Sequence, residues 1–218
     1  MRLPLFPLDT VLFPGTVLPL HIFEPRYRQL LADSLAADRR FGIVPLGPDG
    51  GPPPTGIVGT VATIKAVETL PDGRATIVVA GEDRFMLRRY LDESTPYPVG
   101  LVDPFEDDRE DLQDAATRVP ELRELGDRCA EALRALTETS GISNWAADPG
   151  TLSFQLASLL EVDLSFRQRL LGMRSARERC ELLLRILPGL VADLEARAAV
   201  HRRARHNGPG GARPDLAT

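Results

Sequence analysis

Five prolines fall among the first 25 residues, and they restrict what this part of the chain can become. Proline has no backbone N–H and a fixed φ. None of Pro4, Pro7, Pro14, Pro19 and Pro25 can therefore sit in the middle of a fully paired strand. Apolar residues still alternate between them. Leu18, Leu20 and Ile22 share one face of an extended segment, and His21 and Phe23 share the other. This combination predicts short strands, edge pairing and bends wrapped on an apolar core. Pro25 suits the first turn of a helix, and Tyr27, Leu30, Leu31 and Leu35 follow at helical spacing.

Beyond that helix, Phe41 to Leu46 reads as a strand. Residues 47–56 carry three consecutive prolines among glycines and read as a loop. Ile57 to Thr69 is rich in β-branched residues, and Pro71-Asp72-Gly73 separates it from Ala75 to Ala80, which predicts a hairpin. Gly81 reads as a bend that re-aims the chain. Phe85, Leu87 and Leu91 then form a strand whose other face, with Arg84, Met86 and Arg88, is wet. Tyr97 to Val102 closes the set. About six short strands punctuated by Gly and Pro suggest a small barrel or sandwich.

Several of these pieces resemble the N-terminal, substrate-binding domain family of Lon-type ATP-dependent proteases. They are Leu3 to Leu8, Phe13-Pro14-Gly15 and Ile22-Phe23-Glu24-Pro25-Arg26-Tyr27-Arg28. Phe41-Gly42-Ile43-Val44, Val58-Gly59-Thr60-Val61-Ala62, Leu70-Pro71-Asp72-Gly73 and Gly81-Glu82-Asp83-Arg84-Phe85 follow in the family's order. The resemblance covers the first half well and implies a PUA-like β pseudo-barrel. The second half is similar to the helices that follow this domain, on periodicity alone.

The character of the chain changes at Asp103. Residues 103–114 hold seven acidic residues and one arginine, which reads as a solvated linker and helix start. Val119, Leu122, Leu125, Cys129, Leu133 and Leu136 mark a helix ending near Gly141. Asp148-Pro149 is a cap followed by proline, opening a second helix. A short helix over Ser165 to Leu171 stops at Gly172. Ser175 to Glu178 matches a capping box and opens a last helix, which Pro188 should kink or split. The expected class is therefore α+β: a PUA-like β pseudo-barrel with one helix over residues 1–106, an α-helical bundle with a long helix over 107–204, and a disordered tail over 205–218.

Chemistry is conspicuous mainly by what is missing from the sequence. No Gly-x-x-x-x-Gly-Lys-Ser/Thr phosphate loop occurs, and Lys65, the one lysine, lies in a strand pattern. No Gly-x-Ser-x-Gly elbow is present. His21 has no Cys or second His at ligand spacing, so no metal site and no cofactor are expected. His201 and His206 fall in a basic end that reads as solvated. Cys129 and Cys180 sit at helical spacing from leucines and read as core hydrophobes. No apolar run approaches the roughly 20 residues needed to span a membrane, and no secretory leader pattern opens the chain, so a cytoplasmic protein is expected.

The resemblance implies a non-catalytic polypeptide-recognition module, a stand-alone form lacking the ATPase and peptidase domains. It would bind unfolded or extended segments, or a separate protease or chaperone partner, through an apolar cleft or a strand edge. His21, Phe23, Glu24, Arg26 and Arg84 are the candidate polypeptide-binding residues, with Arg84 on the wet face of its strand. Glu24 also fits a structural role near a helix N-terminus. The rival reading is an RNA-binding PUA-like protein, and a net charge of −5 weighs against it.

Overall fold

A computed structural model describes residues 1–137 and 144–206, with side chains to Arg203. Six strands and six helices follow in the order β1 (Arg2–Leu8), β2 (Val17–Ile22), α1 (Pro25–Ala36), β3 (Arg40–Pro45), β4 (Val58–Thr69), β5 (Ala75–Leu91), β6 (Val99–Pro104), α2 (Arg109–Ala116), α3 (Val119–Thr137), α4 (Pro149–Ala157), α5 (Leu164–Gly172) and α6 (Ala176–His206). Strand order β2-β5-β4-β3-β1-β6, with β6 returning to β5, closes five strands into a barrel and leaves β2 attached outside the ring. All pairings are antiparallel except β1 with β3.

The prolines fit this closure. β1 changes partner along its length: Arg2, Leu3 and Pro4 lie opposite β6, whereas Leu5 to Leu8 lie opposite β3. Pro4 and Pro7 therefore each face a ladder on one side only, where a missing N–H breaks no rung. Pro19 is on β2, which pairs with β5 alone. Pro25 occupies the first turn of α1.

β5 differs from the expectation. Ala75 to Ala80 and Phe85 to Leu91 are one 17-residue strand, not two. Gly81 lies inside it because the chain at 13–16 crosses here at backbone contact. Gly81 donates to the Thr16 carbonyl and accepts from Gly15 N–H, both at 2.9 Å. A Cβ at Gly81 would strike the Phe13 carbonyl. Register shifts against β4 and β6 supply the bending that lets one strand serve both sides of the barrel.

Three apolar clusters result. Leu3, Leu5, Val61, Phe85, Leu87 and Val102 fill one side of the barrel. Phe6, Ile22, Tyr27, Leu30, Phe41 and Ile77 pack with α1 on the other. The helices close around Leu122, Cys129, Leu152, Cys180, Leu183 and Leu187, and Val11, Phe13 and Val58 from the first half enter that same cluster. α6 remains one helix through Pro188, because Leu183, Leu187 and Val191 anchor both flanks at 1% exposure or less. It also continues through His206, so His201 lies on a helix, partly buried, instead of in a solvated tail. Gly141 and residues 207–218, where a helix end and most of the disordered tail were expected, fall outside the described residues.

Candidate functional site

The seam between barrel and helices is organised by two arginines and one carboxylate. The β4–β5 register shift spans Glu82 and Asp83, after which Arg84 lies opposite Thr60 and Phe85 opposite Gly59. Phe85 points into the barrel core, and Arg84 points away from it, as strand alternation requires. That outward face is wet at Arg88 but not at Arg84. The turn joining α5 to α6 covers it, leaving Arg84 5% exposed. Arg84 Nη1 donates to the carbonyls of Leu171 and Met173 at 2.6 Å each, and Nη2 donates to Asp107. The expectation that Arg84 is free to meet a partner is thereby corrected.

Asp107 also receives Arg179 of α6. Arg179 Nη2 lies 2.7 Å from Asp107 Oδ2 and Nη1 lies 3.1 Å from Oδ1, while Nε donates to Ser153 Oγ at 2.7 Å. Arg179 is fully buried. The Phe154 ring lies against both guanidiniums, with centroid distances of 3.9 Å to Arg179 and 4.9 Å to Arg84. Burial pulls the Arg84 guanidinium down to about 10; Asp107 opposes that shift and Arg179 adds to it. Arg84 therefore stays charged at neutral pH.

A cleft of about 710 Å³ opens beside this node. Its apolar lining includes Pro14 and Phe85 from the barrel half, Phe105 and Leu112 around the start of α2, and Phe154 of α4. Asp148 lies at its edge, where it caps α4 by accepting from Thr151 N–H at 2.7 Å. Gly15 also lines the cleft, with φ of 71° and Thr151 so close that a Cβ would collide with it. A second groove, of about 560 Å³, runs between α1 and the β4–β5 hairpin beside Pro25, Arg28, Leu35 and Val67.

The other four sequence-derived candidates lie together, at the junction of β2 and α1. His21 is exposed on the outer face of β2, and its ring lies 6.0 Å from that of Phe23, which is 59% exposed. Glu24 stands at the N-cap of α1 without a capping hydrogen bond from its side chain. Its carboxylate instead pairs with Arg26 at 2.8 Å, and Arg26 lies 4.6 Å from the Tyr27 ring centroid. None of these four lines either cavity, although Pro25 between Glu24 and Arg26 lines the second groove, whereas Arg84 lines the first cleft.

Sequence reading overlooked Asp107, Phe154 and Arg179. Asp107 sits in an acidic run read as solvated, yet its side chain is only 12% exposed. The one available signal was Arg179 itself, which shares a helical face with Ala176, Cys180 and Leu183. Among the described residues, no helix is long and apolar enough to cross a membrane, and no three His, Cys, Asp or Glu residues are grouped to hold a metal.

Comparison with known proteins places this architecture. A family model for the ATP-dependent protease La (LON) substrate-binding domain matches residues 2–188. The Lon N-terminal domain protein from Xanthomonas campestris is 24% identical, with a TM-score of 0.59 over 85% of this chain and 98% of that one. The N-terminal domain of the Mycobacterium avium complex Lon protease is 20% identical, with a TM-score of 0.61 over 86% and 98%. The Lon protease of Cytophaga hutchinsonii is 26% identical over 209 residues, covering 92% of this chain. That alignment takes in 26% of the relative, so the chain spans about a quarter of the length of the curated relatives it matches.

Proposed function

The chain belongs to the LON substrate-binding domain family, and on that premise we propose that it recognises extended polypeptide without acting chemically on it. The match of the substrate-binding model to residues 2–188 carries this reading. The chain corresponds to that part of Lon, not to its ATPase or peptidase part. The cleft at the seam supplies the physical means. Its size suits a few side chains, since ligand sites commonly measure about 300–1,000 Å³. Phe105 and Leu112, both partly exposed, offer apolar area to a segment that has not buried its own. A folded client has little to gain there. An unfolded one gains apolar burial but loses conformational freedom, which keeps affinity for one short segment at about micromolar or weaker. The client is an unfolded segment, or an extended stretch of a separate protease or chaperone.

Fluorescence anisotropy of a reduced, carboxymethylated client and of a single-stranded RNA, each across a salt series, tests this reading. Polypeptide binding at tens of micromolar protein is expected, with little dependence on salt for a client of low charge. Phosphate-driven RNA binding would instead weaken steeply over the same range. Tight, salt-sensitive RNA binding without client binding would overturn the polypeptide reading.

A further inference from the structure

We propose that the cleft selects polypeptide segments in which a lysine or arginine stands beside an apolar or aromatic side chain. The proposal rests on the reading of the cleft as a polypeptide site and adds the chemistry of what it prefers. Its charged lining falls into spent and unspent groups. Arg84 and Asp107 are committed to each other and to Arg179, and the Nη groups of Arg84 are further occupied by the Leu171 and Met173 carbonyls. Arg40 is held by Asp38 at 3.0 Å, and Glu82 faces Lys65 at 3.7 Å. Asp83, Glu106, Asp148 and Arg109 remain, together with the N-terminal ammonium of Met1, which donates to the Val102 carbonyl at 2.7 Å.

Asp83 and Glu106 are exposed, and neither side chain has a hydrogen bond or ion pair among the described residues. Asp148 caps α4 by accepting from Thr151 N–H. Three carboxylates thus stand against one guanidinium and the N-terminal ammonium, around a lining that includes Phe105, Leu112 and Phe154. The buried node beneath, two guanidiniums on one carboxylate, has its donors engaged inside the protein and offers an incoming carboxylate no direct hydrogen bond. An incoming cation meets unpaired carboxylates at the rim while its apolar neighbour enters the cleft. An incoming carboxylate meets repulsion at the same place.

The test uses three labelled peptides that share one apolar, aromatic core and carry lysine, glutamine or glutamate flanks. Their binding to the full chain and to its D83N/E106Q variant is followed by fluorescence anisotropy at low and moderate ionic strength. Both substituted side chains are exposed, and far-UV circular dichroism verifies the fold of the variant. The lysine peptide should bind roughly three- to tenfold more tightly than the glutamine peptide, and the glutamate peptide most weakly. The gap should narrow as salt screens the rim charges. In D83N/E106Q the lysine preference should fall towards one, with the glutamine peptide unchanged. Equal binding of all three peptides would overturn the charge selection and leave the polypeptide reading standing. A lysine preference undiminished in the variant would assign the selection to the overall charge and overturn its placement in the cleft. No binding by any of the three would overturn the polypeptide reading and the selection together.

Discussion

Asp107 serves two arginines that arrive from opposite sides of the molecule, Arg84 on β5 and Arg179 on α6. Removing its carboxylate leaves two buried guanidiniums facing each other without a counter-charge. Breaking a buried pair in this way costs about 3–5 kcal/mol, far more than losing an exposed ion pair such as Arg128–Glu195. Asp107→Ala should therefore lower the denaturant midpoint strongly, and Glu195→Ala should barely move it. The buried thiols make a second prediction at this scale. Cys129 and Cys180 are fully buried, and burial pushes both thiols up to about 11. The unfolded chain releases these protons near pH 9, whereas the folded chain holds them to about 11. Between those values the unfolded state binds fewer protons, so stability falls as pH rises. Below about pH 8 the thiols contribute almost no slope. Tyr90 and Tyr97, pushed up to about 12 mainly by burial, act with the same sign from about pH 10. Urea midpoints measured from pH 7 to 10 should be flat at first and then decline. Replacing both cysteines by alanine should flatten the decline between pH 9 and 10.

At the scale of elements, α6 carries two weak positions side by side. Pro188 gives no N–H to the helix ladder, and Gly189 has the largest backbone freedom to lose. Both are exposed, and a Cβ at Gly189 would meet no atom within 4 Å. Gly189→Ala should therefore stabilise by about 0.5–1 kcal/mol, read as a higher thermal midpoint. Gly15→Ala should do the opposite, since Gly15 has a positive φ and its missing Cβ is where Thr151 packs. Most elements were legible because their signals are local. Asp148 and Ser175 accept the N-terminal amides of α4 and α6, as their sequence positions imply. Leu18, Leu20 and Ile22 face inward while His21 faces out. What was not legible depends on contacts distant in sequence. Alternation gave the direction of Arg84, but whether that direction meets water depends on a turn 87 residues further along. Gly81 looked like a bend because the segment crossing it, at residues 13–16, cannot be seen locally. The four candidates at the β2–α1 junction came from one short motif, so they fall together in space. Arg84 came from another motif and falls apart from them.

For the whole molecule, the joint between the barrel and the helices decides whether they act as one body. Residues 1–106 and 107–204 were expected as separate units, and we propose that they fold as one cooperative body. Val11, Phe13 and Val58 are buried in the helical cluster. Gln155 Nε2 donates to the Gly15 carbonyl at 3.1 Å and Gln168 Nε2 to the Val58 carbonyl at 2.7 Å, tying α4 and α5 to the first half. The Arg84–Asp107–Arg179 node adds a buried polar contact whose rupture would expose uncompensated charge. Separating the units would uncover apolar area and strand several polar groups at once, so neither should melt alone. Intrinsic probes can decide this. Trp145, the one tryptophan, is buried among the helices and donates to Asp127 at 2.8 Å. The three tyrosines, Tyr27, Tyr90 and Tyr97, all belong to the barrel half. Urea unfolding followed by tryptophan emission and by tyrosine absorbance should give superimposable transitions with one midpoint. In Asp107→Ala the transitions should separate, because the apolar contacts of each unit survive while the joint fails. Separate midpoints already in the unaltered protein would mean that the seam, and the cleft built on it, opens before either half unfolds.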